Sequence, residues 1–230
     1  MMCSSYTSKS KMKKEEYELT YGAEWDKDAI DAKDVYTDET GKNTIGYPGI
    51  TMPVITIDKP KIIQDYRFGF IAPWLNADKI SEVRNTFNAR IETISELATW
   101  RDAWKNKQRC VVLTNGFYEH DKKRKMKVFF HLKEIDNFYY AGIYHDYINK
   151  KTGEIIKTMA IVTTTANELI GEVHSRMPVM LRPGDEKLWM DKDADLHHLL
   201  IQYGQPLNAS YIIMEDEEPK QTKVGQGSLF

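Results

Sequence analysis

The sequence predicts a single globular domain built mainly of short antiparallel strands, with a few short helices. Three observations predict it. A chain of 230 residues, 41% hydrophobic and 11% aromatic, can bury a sizeable core, and one domain of this length is common. Short apolar or alternating segments recur between Gly, Pro, Asn and Asp turn signals, which is the pattern of strands. Helical spacing of apolar residues is confined to brief stretches.

The elements follow in order. Residues 9–46 are polar; the part around Tyr17 to Tyr21 reads as helix and the rest as loop. Met52–Asp58 and Lys61–Ile71 have strand composition, with Pro60 marking the turn between them. Pro73-Trp74 closes this pair, and Trp74 is expected in the core, or stacked on a base if it lies at a groove. Asn85–Thr93 alternates, so Asn88, Arg90 and Glu92 are expected on one face of an extended segment. Ile94, Leu97, Ala98 and Trp104 then predict an amphipathic helix ending near Lys107. Cys110–Leu113 is short and apolar and reads as a buried strand, which makes Cys110 a core thiol. Asn115-Gly116 permits a sharp bend before Phe117, Tyr118 and Glu119.

Asp121–Lys127 is a basic run read as a hairpin loop, which near a groove attracts phosphates. Val128–Lys133 and Phe138–His145 alternate like antiparallel strands, and Ile155–Thr164 follows the turn Lys151-Thr152-Gly153. Asn167–Ile170 reads as one helical turn leading to Glu172–Leu181. In that stretch Pro178 holds Met177 extended, so Val179–Leu181 is a short core segment with His174 and Arg176 at its mouth. Helices are expected from Arg182-Pro183-Gly184-Asp185 through Met190 and over Asp195–Tyr203, with a last strand at Ser210–Met214.

Composition also excludes. The net charge is −2, so no global basic signal marks a nucleic-acid binder, but Lys9–Lys14 and Lys122–Lys127 are basic while Glu215–Glu218 is acidic. Two cysteines make no disulfide framework, and no stretch spans a bilayer. A soluble protein of a reducing compartment, the cytoplasm, is expected. Zinc-ligand spacing, a phosphate-cradling glycine loop and a serine-nucleophile elbow are all missing, so neither metal nor cofactor is expected.

Six residues carry candidate chemistry. His174 is an imidazole at a rigid edge, able to move protons near neutral pH, and Arg176 beside it suits a phosphate or a carboxylate. Glu119 sits beside aromatics that partly desolvate it, which favours a base or acid; alternatively it pairs with Lys122 or Lys123. Cys3 is either an incidental thiol at a frayed end or, once Met1 and Met2 are removed, a 1,2-aminothiol. Such a group condenses with an aldehyde to a five-membered thiazolidine. Its amine and thiol have reference pKa values of about 7.7–8.0 and about 8.5, so a neighbouring base and proton shuttle both help. Asn88 and Arg90 complete the polar face described above.

Together Cys3, the stretch NARIET, the run RCVVLTNGFYE and HSRMPV resemble the SOS-response-associated peptidase family of abasic-site-processing proteins, in the same order and over nearly the whole chain. The resemblance implies an α+β fold, a mostly antiparallel sheet curled into a pseudo-barrel, with short peripheral helices and a groove for single-stranded DNA. It implies one domain over residues 1–215. It makes Cys3 the nucleophile, freed by self-processing, that traps the opened aldehyde of an abasic site. Asn88 then orients the amine or the sugar, Glu119 is the base, and His174 protonates the sugar oxygen. Arg90 and Arg176 hold flanking phosphates, and Trp74 lines the groove. Four positions depart from the family pattern: Ser4-Ser5 replaces Gly-Arg, His120 replaces a tryptophan after GFYE, and Phe68 replaces another.

The tail, residues 216–230, ends Gln226-Gly227-Ser228-Leu229-Phe230, which resembles the bacterial sliding-clamp-binding pentapeptide. Two other readings of the chain stay open on sequence alone: a thiol peptidase acting on other proteins, and a non-covalent single-strand-binding module.

Overall fold

The computed structural model describes residues 5–8, 14–27, 44–46, 49–75 and 86–216; Cys3 and the tail peptide lie outside them. Among these residues fourteen strands run in chain order: β1 (Ser5–Ser8), β2 (Glu24–Trp25), β3 (Thr44–Gly46), β4 (Thr51–Thr56), β5 (Ile62–Phe68), β6 (Asn88–Arg90), β7 (Arg109–Thr114), β8 (Gly116–Asp121), β9 (Met126–Leu132), β10 (Phe138–Ile148), β11 (Ile155–Thr165), β12 (Arg176–Pro178), β13 (Met180–Leu181) and β14 (Ile212–Asp216). The helices are short: α1 (Lys14–Tyr21), α2 (Arg101–Lys105), α3 (Glu168–Gly171), α4 (Glu186–Trp189) and α5 (Leu196–Gly204).

Strands β4, β5, β7, β10 and β11 close into a barrel, because β11 pairs antiparallel with β10 on one side and parallel with β5 on the other. Alternation along each strand divides the side chains into two layers. Met52, Val54, Tyr66, Phe68, Cys110, Val112, Tyr140, Met159 and Ile161 share the inner cluster. Ile55, Ile63, Val111, Leu113, Ile143 and Val162 belong to an outer cluster that Trp100, Trp104, Trp189, Leu199 and Tyr203 cover. Trp189 fixes this cover: its Nε1 donates to the Cys110 carbonyl at 2.9 Å, and its ring stands edge-on to Tyr203 at 5.3 Å.

The second sheet has the order β14-β9-β8-β1-β3. Its inner residues Phe117, Val128, Phe130, Leu132 and Ile212 join the barrel's inner cluster. The glycine of GFYE has a steric cause. A Cβ on Gly116 would lie 2.3 Å from the Phe129 ring and 2.6 Å from the Phe130 carbonyl oxygen.

The predicted fold class holds, and most elements stand within a few residues of expectation. Three differ. Ile91–Thr93 is a 3-10 turn, so only Asn88–Arg90 of the expected extended segment is strand. The helix expected from Ile94 is only Arg101–Lys105, preceded by turns. Trp74 is 62% exposed, not core; the neighbouring Leu75 packs against Ile71 and Tyr147 instead.

Candidate active site

The NARIET and HSRMPV stretches meet at the C-terminal end of β11. β6 continues the line of β5 along β11, with Ile161 opposite Asn88 and Thr163 opposite Arg90. On the other side of β11, Thr163 pairs with Pro178 and Thr165 with Arg176. Thr163 thus has Arg90 on one flank and the HSRMPV strand on the other, about 10 Å apart across two strand spacings. Pro178 fits there because β12 lies at the end of the strand order, where a missing N–H costs no ladder bond. Asn88 is buried, 7% exposed, while Arg90, two residues on along the same face, is exposed and its side chain makes no polar contact with another described residue.

His174 is positioned from its own chain. Asn167 caps the α3 turn by accepting from the Ile170 N–H at 3.0 Å, and its Nδ2 donates to the Leu207 carbonyl at 2.8 Å. The Ile170 carbonyl then accepts from the N–H groups of Val173 and His174. The imidazole Nδ1 lies 3.0 Å from the Arg176 N–H and 3.3 Å from the Arg176 carbonyl. The backbone N–H is an obligatory donor and the shorter contact, so Nδ1 accepts and the proton sits on Nε2.

Arg176 does something the sequence did not show. Its guanidinium holds Glu92 with two bonds, Nη1 to Oε1 at 2.6 Å and Nη2 to Oε2 at 2.8 Å. Nη2 also donates to the Thr163 carbonyl at 2.8 Å, and Nε is buried. The Arg176 side chain is 13% exposed and that of Glu92 is 40% exposed. Burial raises the Glu92 carboxyl, but the hydrogen bonds and charge of Arg176 outweigh it and hold the group below its ordinary value. The arginine expected to grip a phosphate is therefore engaged by a carboxylate, and Arg90 is the cation left open to solvent. Glu92 is the functional neighbour that sequence reasoning missed. Its signal was present as an acid two residues beyond Arg90 in NARIET, but its partner lies 84 positions away.

Glu119 stands on the other sheet. Alternation along β8 turns it to the same side as Phe117, toward the inner cluster that also holds Ile161, Ile170 and Met177. Among the described residues Oε1 accepts only from the His120 N–H next to it, at 3.2 Å. Oε2 is buried with no hydrogen-bond partner, and neither Lys122 nor Lys123 pairs with it. A buried carboxylate oxygen without a donor costs free energy on the order of 1–3 kcal/mol. No hydrogen bond joins Glu119 to Asn88 or His174 among the described residues. β1 runs antiparallel beside β8, with Ser5 opposite Tyr118.

Among the described residues, no group of three His, Cys, Asp or Glu side chains is placed to hold a metal ion, and no helix is long and apolar enough to cross a membrane. Cys110 is fully buried in β7, and burial pushes its thiol far up, so it is not a nucleophile.

The family model for SOS response associated peptidase (SRAP) matches residues 2–215. The chain belongs to the SRAP family. It is 37% identical over 137 residues to the abasic site processing protein YoqW of Bacillus subtilis, covering 58% of this chain and 59% of that protein. It is 29% identical over 154 residues to the abasic site processing protein HMCES of Gallus gallus, covering 57% and 46% of the two chains. The match thus spans about three-fifths or less of these relatives' lengths. A crystal structure of a protein from Bacteroides thetaiotaomicron superposes with a TM-score of 0.80 at 22% identity, over 99% of this chain and 100% of that one, and so shares the fold.

Proposed function

We infer that this SRAP chain processes abasic sites in single-stranded DNA, trapping them on Cys3 as a covalent thiazolidine. The observation that carries the reading is the pairing of β1 with β8. It brings Ser5, two residues after Cys3, opposite Tyr118 and next to Glu119, whose buried oxygen has no partner. A chain that begins in an ammonium group beside that carboxylate would satisfy it and lose a proton to it. The names of the relatives supply the substrate class.

The chemistry follows from the groups. Removal of both methionines, with Glu119 as base for the self-processing step, exposes the Cys3 amine. In its ring-opened form an abasic sugar presents an aldehyde. The amine adds to the carbonyl carbon, and His174 Nε2–H gives its proton to the sugar oxygen as water leaves. The thiolate then adds to the imine carbon; a C–S bond forms, the nitrogen recovers a proton, and one water is lost overall. Asn88 orients the amine or sugar at the end of β11. Arg90 takes a flanking phosphate, Trp74 offers a ring at the groove, and Arg176 acts through its grip on Glu92 and its N–H on His174.

The test is a denaturing gel of the processed protein with a single-stranded oligonucleotide carrying one abasic site. A covalent band is expected, absent in Cys3→Ala and slowed in Glu119→Gln and His174→Ala with non-covalent binding near normal. A band that persists in Cys3→Ala refutes the reading. Intact mass spectrometry must show a chain beginning at Cys3.

A further inference from the structure

The outer face of the second sheet breaks the usual rule for antiparallel sheets, whose solvated side carries polar residues. Tyr118, Phe129 and His131 lie on it, half-buried, while Phe117, Phe130 and Leu132 on the other side are fully buried. The rings form a row across two strands. Tyr118 and Phe129 have centroids 4.8 Å apart, and Phe129 stacks on His131 at 5.4 Å with planes 21° apart. The bare Gly116 backbone lets the Phe129 ring lie flat across β8. Lys127 Nζ stands over the Tyr118 ring at 5.9 Å.

The β8–β9 hairpin tip adds charge at the end of this row. Arg124 bridges Asp121 and Asp216 at 2.6 Å each, offsetting one of the two negative charges. Lys122, Lys123 and Lys125 remain exposed at the tip. Glu215 also stands beside the row, 3.3 Å from His131 Nε2. Glu119, between Tyr118 and His120, faces the opposite side of the same strand.

We propose that this face is a stacking track for single-stranded DNA flanking the abasic site: the bases lie on Tyr118, Phe129 and His131, and the backbone crosses the hairpin lysines. The DNA partner rests on the functional reading above. Aromatic rows suit such a strand because every base has a π-face, and lysines at the rim meet its phosphates without reading sequence.

The test uses the full chain and undamaged oligonucleotides, which carry no aldehyde and cannot crosslink through Cys3. Irradiation with a 15-mer containing 5-bromodeoxyuridine, followed by peptide mass spectrometry, should place adducts on Tyr118, Phe129 or His131. Adducts confined to other surfaces overturn the proposal. The variant Phe129→Leu combined with His131→Ala should raise Kd roughly ten-fold or more. Lys123→Gln with Lys125→Gln should flatten the dependence of log Kd on log salt by about 0.7 per lysine. Unchanged affinity in variants with an unchanged unfolding midpoint also overturns it; if a variant unfolds, the adduct map on the native chain decides. Track binding without any abasic-site crosslink would refute only the functional reading. Full crosslinking to an abasic trinucleotide, with no gain from a longer strand and no adducts on the rings, would refute only the track.

Discussion

Replacing Glu92 by Gln isolates the bridge between two motifs. The amide keeps the shape but removes the charge, leaving Arg176, whose side chain is 13% exposed, without its counter-ion. Breaking a fully buried pair costs about 3–5 kcal/mol, and an exposed one contributes about 0.2–1 kcal/mol. Glu92, at 40% exposed, moves this pair toward the lower figure, whereas two bonds of 2.6 and 2.8 Å in fork geometry raise it. The expected loss is about 1–2 kcal/mol, or roughly 2–8 °C in Tm for a chain of this size. The pH dependence has a definite sign. Because the Glu92 carboxyl is held below its ordinary value of 4.5, its contribution is fully present above that value and fades as pH falls through the lower folded value. Wild type and variant should therefore converge in acid. Denaturant unfolding of Glu92→Gln, Arg176→Met and the double variant between pH 3 and 7 measures the coupling. A coupling below about 0.5 kcal/mol at pH 7, or a gap that does not close in acid, would refute the assignment of Arg176 to Glu92.

Three further outcomes are expected. Iodoacetamide at pH 8 should modify Cys3 in the native chain and reach Cys110 only in denaturant, read by peptide mass spectrometry, because the buried thiol is pushed far up. Gly116→Ala should destabilise by about 1–3 kcal/mol in urea unfolding, since the new methyl meets backbone as well as ring. A chain lacking Leu229 and Phe230 should lose affinity for a bacterial sliding clamp in a pull-down; normal binding would remove the tail from consideration.

Local signals carried much of the fold. The hairpin at Asp121–Lys127, the buried strand around Cys110 and the capped turn at Asn167 each declare themselves within ten residues, through alternation, an apolar run and a side-chain cap. What stayed hidden depends on distant pairings. The parallel pairing of β5 with β11 closes the barrel through residues about 90 positions apart, and no local period encodes it. Alternation misled at Ile91–Thr93, where the backbone turns into the 3-10 geometry that lets Glu92 reach Arg176. Trp74 was misjudged because its size favours burial, yet the half-buried Leu75 packs against Ile71 and Tyr147 while the indole stays outside. The site showed the same split. His174 was read from its flanking proline, but its tautomer depends on one backbone N–H, and Glu119 was separable from a surface acid only by its unpartnered oxygen.

The placement of β1 sets a timetable. Its described neighbours are β3 and β8, and β8 begins more than one hundred residues later at Gly116. During synthesis the head of the chain has no β8 edge to dock against until half the polypeptide has emerged. Any maturation that uses Glu119 must wait for that docking, so processing of the proposed kind should track the folding of the sheet rather than the start of translation.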